Sequence, residues 1–250
     1  MNEGEFLEAY DPAAFEPLAV TVDLVLFGLR ESSPAVLLIE RAEHPHAGRW
    51  ALPGSFVRPE ETLDAAALRV LRDKAGFTMA EAGRTRLEQL YTFGAVDRDP
   101  RMRIVTVAYM ALLPEAAFVQ AAETGGGLSA AGIAVPWAGE AGGPVTAFAA
   151  RERTDRAPLS LAFDHADILA LAILRLRGKL DYSDIGFALL PETFTLRQLQ
   201  NVHEAILGTS LNKPAFRRRM LDRGWLAPTG TREAGTSFRP AELYRYRTPL

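Results

Sequence analysis

The chain has 250 residues, 48% hydrophobic and 24% charged, the balance of an ordinary folded protein, which excludes disorder, collagen-like repeats and a simple coiled coil. It has no cysteine and four histidines, so disulfide staples, thiolate metal sites and a cysteine nucleophile are excluded, and little histidine is left for a metal. The net charge of −3 hides an asymmetry: residues 191–250 carry ten Lys/Arg against five acids, leaving the rest at −8, the footprint of a polyanion-binding appendage behind a larger acidic module.

The first residues, MNEGEFLEAYDPAAFEP, are acidic and lack the apolar centre of a signal peptide, and no apolar run reaches the ~18 residues of a membrane span; a cytoplasmic protein is expected. Leu18–Leu29 and Ala35–Ile39 read as strands joined by the polar turn Glu-Ser-Ser-Pro. A Pro/Gly loop over His44–Leu52 leads through Pro53-Gly54-Ser55-Phe56-Val57-Arg58-Pro59-Glu60-Glu61 to a helix at Thr62–Ala75. Thr62 is placed to cap that helix, Leu63, Leu68 and Leu71 share one broad face, and Gly76 stops it. Leu87–Phe93 and Ile104–Leu113 are strand candidates around the charged turn VDRDPRMR. The Ala/Gly-rich stretch Glu115–Arg156 predicts one short strand near Ile133–Trp137. From His165 the spacing of Ile168, Leu169, Ala172, Ile173 and Leu176 is helical and ends near Gly178. The basic end predicts helices at Thr195–Leu207, with Thr195 as N-cap, and at Pro214–Arg223, with Pro214 at N1 and Gly224 beyond its end. Short strands at Trp225–Pro228 and Leu243–Tyr246 then flank a tip from Gly230 to Gly235, the order of a winged helix-turn-helix.

The segment Leu52–Glu61, followed by Arg69-Val70-Leu71-Arg72-Asp73-Lys74-Ala75-Gly76-Phe77, resembles the Nudix box, G-x5-E-x7-R-E-U-x-E-E-x-G-U with U a bulky apolar residue. Arg69, Leu71, Gly76 and Phe77 anchor it, which sets Glu61 on the first glutamate and Ser55 on the first glycine. In that family the helix glutamates hold Mg²⁺ or a similar hard cation at one helix face and thereby activate water. The matching positions here are Val70, Asp73 and Lys74, so no metal and no working pyrophosphohydrolase are expected. Lys74, Arg72 and Arg58 remain to meet phosphates directly, Arg72 reading rather as a solvated residue.

An acidic Nudix-like domain before a basic winged helix resembles the Nudix-related transcriptional regulators, bacterial repressors of NAD-metabolism genes that respond to ADP-ribose. Further stretches carry the likeness: Gln89–Gly94, Arg98–Arg101, Ala162–Ala166, Leu176–Leu180, Asn212–Arg218 and Arg239–Arg245. The resemblance implies an α+β chain, with a Nudix-like α/β/α sandwich on a mixed sheet over 1–160, a linker helix and connection over 161–190, and a winged helix-turn-helix over 191–250. It further implies no cofactor, a nucleotide effector such as ADP-ribose, operator DNA as partner and a homodimer, for which Tyr10, Phe15 and the apolar helix Ile168–Leu176 offer surface. Two other readings stay open here, an ADP-ribose or sugar-nucleotide pyrophosphohydrolase drawing ligands from Glu60 or Glu61 with Asp73, and a protein-binding winged helix; sugar or sugar-phosphate effectors also stay open.

Candidate ligand residues are Arg58 and Lys74, Arg98, Arg101 and Arg103 on the loop Val96–Arg103, and Tyr91 or Phe93 to stack on an adenine. That loop also reads as a solvated tip balanced by Asp97 and Asp99. Asp164 is expected to cap a helix that begins with a packed His165. At ~100° per residue, Phe216, Met220 and Leu221 face the preceding helix through Leu199, Val202 and Ile206, and Arg218, Arg219 and Asp222 face away. Arg218 and Arg219 are therefore expected in the major groove. Lys213, Arg217, Arg232 and Arg239 are expected on backbone or minor groove.

Overall fold

A computed structural model describes residues 2–124, 126–149, 157–234 and 240–247. A short helix α1 (Glu3–Ala9), closed by the Asn2/Glu5 capping box, precedes the strand pair β1 (Ala19–Arg30) and β2 (Ser33–Glu40). Only Glu31 and Ser32 form their turn, both at positive φ (49° and 60°), so the expected four-residue turn shortens to a two-residue hairpin with Pro34 inside the ladder opposite Leu29. Two strands too short for a sequence pattern follow, β3 (Trp50–Ala51) and β4 (Gly54–Phe56). Helix α2 (Leu63–Ala75) begins with the Thr62 hydroxyl accepting from the Ala65 amide and ends at Gly76 in the left-handed region, as its sequence signals predict.

Helix α3 (Met79–Arg84), β5 (Leu87–Phe93) and β6 (Ile104–Leu112) come next. The Ala/Gly-rich stretch then corrects the expectation of a single short strand: it holds a helix, α4 (Glu115–Thr124), and two strands, β7 (Leu128–Ala134) and β8 (Thr146–Ala149). Strand order is β5-β6-β1-β2-β7-β8, with β3 on β2 and β4 on β1, and the parallel pair β1·β6 in an otherwise antiparallel arrangement makes the sheet mixed. Period-two alternation sends Val22, Leu24 and Leu26 to one face, under Val70 and Leu71 of α2 and Phe118 of α4. Val25 and Phe27 go to the other face, under helix α5 (His165–Lys179). The sandwich is thus α/β/α.

The apolar side of α5 is internal: Ile168, Leu169, Ala172, Ile173 and Leu176 are at most 1% exposed. This corrects the expectation that the helix offers a dimer surface. Its core continues without a break into the C-terminal module, through the 3₁₀ segment Ile185–Leu189, β9 (Phe194–Thr195), α6 (Leu196–Leu207) and α7 (Lys213–Asp222). Strands β10 (Leu226–Arg232) and β11 (Glu242–Tyr246) complete a sheet of order β10-β11-β9, the winged-helix arrangement with a short first strand the sequence did not reveal. Asn212 caps α7, so Pro214 stands one position further in than expected. Gly235 and Arg239, assigned to the wing, lie outside the described residues. Among the described residues no helix is long and apolar enough to cross a membrane.

Candidate functional site

The box region is built around Arg69. Its Nε and Nη2 donate to the two Glu61 carboxylate oxygens (2.9 and 2.6 Å), Nη1 to Ser55 Oγ (3.2 Å) and Nη2 to the Phe56 carbonyl (2.9 Å), which fastens the loop to α2. Bonding to Arg69 pulls the Glu61 carboxyl down to about 2. A divalent cation does not fit here. Both Glu61 oxygens are held by a cation, Val70 is buried on the inner face of α2 among Leu71, Ala67 and Val22, and Asp73 alone projects an acid from the helix end beside Lys74.

A buried polar knot lies next to β4. The Asp23 carboxylate of β1 accepts from the Thr106 hydroxyl on neighbouring β6 (2.7 Å) and approaches Arg98 Nη2 at 3.7 Å and His165 Nε2 at 3.8 Å. The Leu52 amide donates to His165 Nδ1 (2.9 Å), so the neutral ring carries its proton on the nitrogen facing Asp23; burial lowers this histidine's pKa and keeps it neutral. Arg98 grips both oxygens of Asp164 (2.8 and 2.7 Å) with only 3% of its side chain exposed. Arg98 is thus no solvent-facing grip but a tie between its loop and the start of α5. Asp164 stands at the N-cap position, yet its side chain makes no cap, because Arg98 takes both oxygens. Gly54 packs against this knot: a Cβ there would sit 2.1 Å from Asp23 Oδ1 and 2.8 Å from the Val22 carbonyl.

Outside the knot, two arginines converge on one ring. Arg41 lies 4.9 Å and Arg101 5.9 Å from the centre of Phe163, Arg101 also lies 5.3 Å over Phe56, and His46 meets Phe163 edge-on at 4.7 Å. Phe163 itself holds a positive φ of 51°, a backbone strain fixed by the packing around it. Burial first, then the Arg101 cation, lower the pKa of Arg41, whose guanidinium donates to the Pro45 and Glu43 carbonyls (2.8 and 3.4 Å). Asp99 balances Arg101 through two contacts of 3.0 and 2.7 Å. Sequence reasoning missed Arg41, Phe56, Phe163 and His46, which come from three separate loops and strands; the pair of positive charges at Arg41 and Arg49 around the Pro/Gly loop was the available signal.

The other candidates are dispersed. Phe93 faces Thr106 across the β5·β6 ladder and packs half-buried on the core, while Tyr91, 57% exposed, meets it edge-on at 5.3 Å. Arg103 closes its own loop on the Ala95 carbonyl (2.8 Å). Arg58 lies exposed on the box loop, and Lys74 sits half-buried in the last turn of α2; no contact gathers either with the Arg41–Phe163–Arg101 group among the described residues.

In the winged module Phe216 and Met220 are buried, Phe216 edge-on to His203 of α6 at 5.1 Å, beside buried Leu199, Val202 and Ile206. Leu221 corrects the expected apolar arc, being 40% exposed at its border. Arg218 points directly away from the buried side, and Lys213 and Arg217 are exposed on the flank that, with Arg197, borders a groove toward Tyr244. Arg219 turns to the other flank, where it meets Asp181 at 3.1 Å. Arg232 donates across the wing to the Pro240 carbonyl (3.2 Å).

Residues 186–246 match the NrtR DNA-binding winged helix domain and residues 17–131 the NUDIX domain. The chain is 36% identical over 247 residues to the ADPR responsive transcriptional repressor NtrR of Acinetobacter baylyi, which covers 98% of this chain and 88% of the relative. It superposes on Shewanella oneidensis NrtR complexed with a 27mer DNA with a TM-score of 0.70 and 32% identity, over 91% of this chain and 93% of that one. A MutT/nudix family protein from Enterococcus faecalis, 24% identical, shares the fold with a TM-score of 0.74 over 99% of this chain and 94% of its own.

Proposed function

The chain belongs to the family of ADPR-responsive transcriptional repressors with a Nudix domain and a winged helix, and from that premise we propose that it represses NAD-metabolism genes by binding operator DNA and sensing ADP-ribose. The observation that carries the reading is the Arg41–Phe163–Arg101 group: two cations around one aromatic ring suit a diphosphate joined to a flat base. The neighbouring acids Asp23, Asp99 and Asp164 are each tied to a cation or hydroxyl, so the cleft binds a nucleotide without supplying the acids that hydrolysis needs. We infer from this, and from the fate of the box positions, that the chain is not a working pyrophosphohydrolase.

The division of labour follows the folding. Residues 1–160, together with Phe163 and with α5 lying on their sheet, hold the effector; residues 191–250 read DNA, Arg218 on base edges and Lys213, Arg217 and Arg232 on the backbone. Coupling runs along α5. Its first residues belong to the knot beside the ligand group, and at its other end Arg177 donates to the Ile206 carbonyl at the end of α6 (2.8 Å). Two copies would read two half-sites in the cytoplasm, joined through the exposed N-terminal aromatics Phe6, Tyr10 and Phe15, of which Tyr10 and Phe15 stack and Phe6 meets Tyr10 at a tilt.

Gel shifts on the DNA upstream of the protein's own gene, titrated with ADP-ribose, NAD and sugar phosphates, test the reading. ADP-ribose is expected to change operator affinity by roughly 5–150-fold. The double variant Arg41→Ala/Arg101→Ala is expected to bind the operator as before and to lose that response. An unchanged response in the variant, or a larger response to a sugar phosphate, overturns the assignment of this cleft to ADP-ribose.

A further inference from the structure

We propose that the chain carries a second small-molecule site, for a compact ring-bearing carboxylate, at the junction between the Nudix sheet and the winged module. A cavity of about 420 Å³ opens there, within the size range of sites for small organic ligands. Phe77 beyond α2, Leu113 just past β6, and Ala117 and Ala121 on α4 make apolar walls; Arg86, directly before β5, and Ala188 of the 3₁₀ segment complete it where the Nudix sheet meets the winged module. Small side chains on α4 are what leave the room. The cavity is distinct from the Arg41–Phe163–Arg101 cleft: on β6, Thr106 belongs to the knot beside that cleft and Leu112 lines the cavity, six residues and therefore about 20 Å apart.

The cation at its edge selects the ligand's charge. Arg86 is 61% exposed in its side chain and donates through Nη1 to Asp184 Oδ1 (2.9 Å). A planar carboxylate offers the guanidinium two parallel bonds in place of this single contact, and a ring attached to it fills the apolar walls. The acid on the wall, Glu81, is turned to the Thr78 amide and hydroxyl (2.8 and 2.7 Å).

Two contacts join this cavity to the wing. Asp184 Oδ2 accepts from the Tyr246 hydroxyl of β11 (2.9 Å), so the same carboxylate holds Arg86 on one side and the wing on the other. Next to cavity-lining Ala188, Phe187 stacks on Tyr246 at 4.7 Å and meets Trp225 edge-on at 6.2 Å. A carboxylate that draws Arg86 from Asp184 loosens a bridge to the wing, and a ring against Ala188 presses on the segment that seats Tyr246. Binding at this site stands apart from the repressor reading; only its effect on DNA rests on that reading.

Calorimetric titration of the full chain with benzoate and its uncharged analogue benzamide tests the site. Benzoate is expected to bind on the scale of about 1 mM and benzamide at least about tenfold more weakly. Arg86→Gln is expected to remove the difference between the two probes, and Asp184→Asn to tighten benzoate several-fold by removing its competitor. Ala117→Leu, which projects into the cavity from a half-buried position, is expected to abolish binding of both while leaving ADP-ribose binding at its wild-type strength. Absence of benzoate saturation below roughly 10 mM, equal binding of benzamide by the wild type, or benzoate binding that survives Ala117→Leu overturns the proposal. If Ala117→Leu fails to fold by circular dichroism, Arg86→Gln at its exposed position decides it alone. A benzoate-induced change in operator affinity that disappears in Arg86→Gln supports the link to the wing; a chain that binds no operator defeats the repressor reading while the titration still decides the pocket.

Discussion

The proposed loss of catalysis turns on Val70. It stands where the Nudix pattern has a glutamate, and it is 1% exposed, packed with Leu71 and Ala67 against the sheet. A carboxylate placed there would lose its hydration without a cation to meet it, because Arg69 already binds Glu61. Val70→Glu is expected to destabilise the fold by about 3 kcal/mol or more, read from urea denaturation, and to yield no AMP from ADP-ribose and Mg²⁺ even when combined with Lys74→Glu. A stable and active double variant would mean that the position opens to solvent. The loss at Val70 was legible in the sequence, since the box spacing is intact around it. The role of Arg98 was not: a charged loop next to two aspartates reads as a solvated tip, and nothing local announces that Asp164, sixty-six positions on, will draw it inside.

At the scale of elements, the caps of α2 and α6 were read correctly because their signals are local, whereas the cap expected of Asp164 is lost to Arg98 and the β1–β2 turn is two residues shorter than expected. Thr62 and Gly76 bracket α2, Thr195 opens α6, and each uses only its own neighbours. Helix α4 and strands β7 and β8 escaped because their small residues carry little periodic contrast, and their place is set by distant partners, such as β2, which pairs with β7 in the sheet. α6 contributes a pH response. His203 is buried on it between Gly186 and Phe216, and burial first, then the Arg219 and Arg223 cations, lower its pKa from 6.5 to about 4. A depressed histidine is neutral in the fold and protonated in the unfolded chain between these values, so its contribution to stability is full above about 6.5 and is lost as the pH falls toward 4, about 3 kcal/mol in all. Urea unfolding at pH 7.5 and pH 5 is expected to show a loss about 2 kcal/mol larger in the wild type than in His203→Gln. Parallel slopes for the two proteins would place the proton elsewhere.

The whole molecule behaves as one body because α5 belongs to both of its parts. One apolar cluster runs from Phe27 of β1 through Ile173 of α5 to Phe194, Leu199 and Phe216, and the buried Arg177 binds carbonyls of Trp137 on one side and Ile206 on the other. Scanning calorimetry is therefore expected to give a single transition whose calorimetric and van't Hoff enthalpies agree, and two resolved transitions would contradict the shared core. The linker reading of residues 161–190 rested on the resemblance and on the helical spacing from His165, which registers where a pattern changes and is blind to what will cover the helix. The same seam bears on how such proteins exchange parts. A graft of residues 186–246 onto a foreign sensor would carry Phe194 and Leu199 away from the helix that shares their core, so recombination at the visible boundary near residue 186 would lay a continuous apolar core open to water, whereas a graft that begins at His165 would keep it closed.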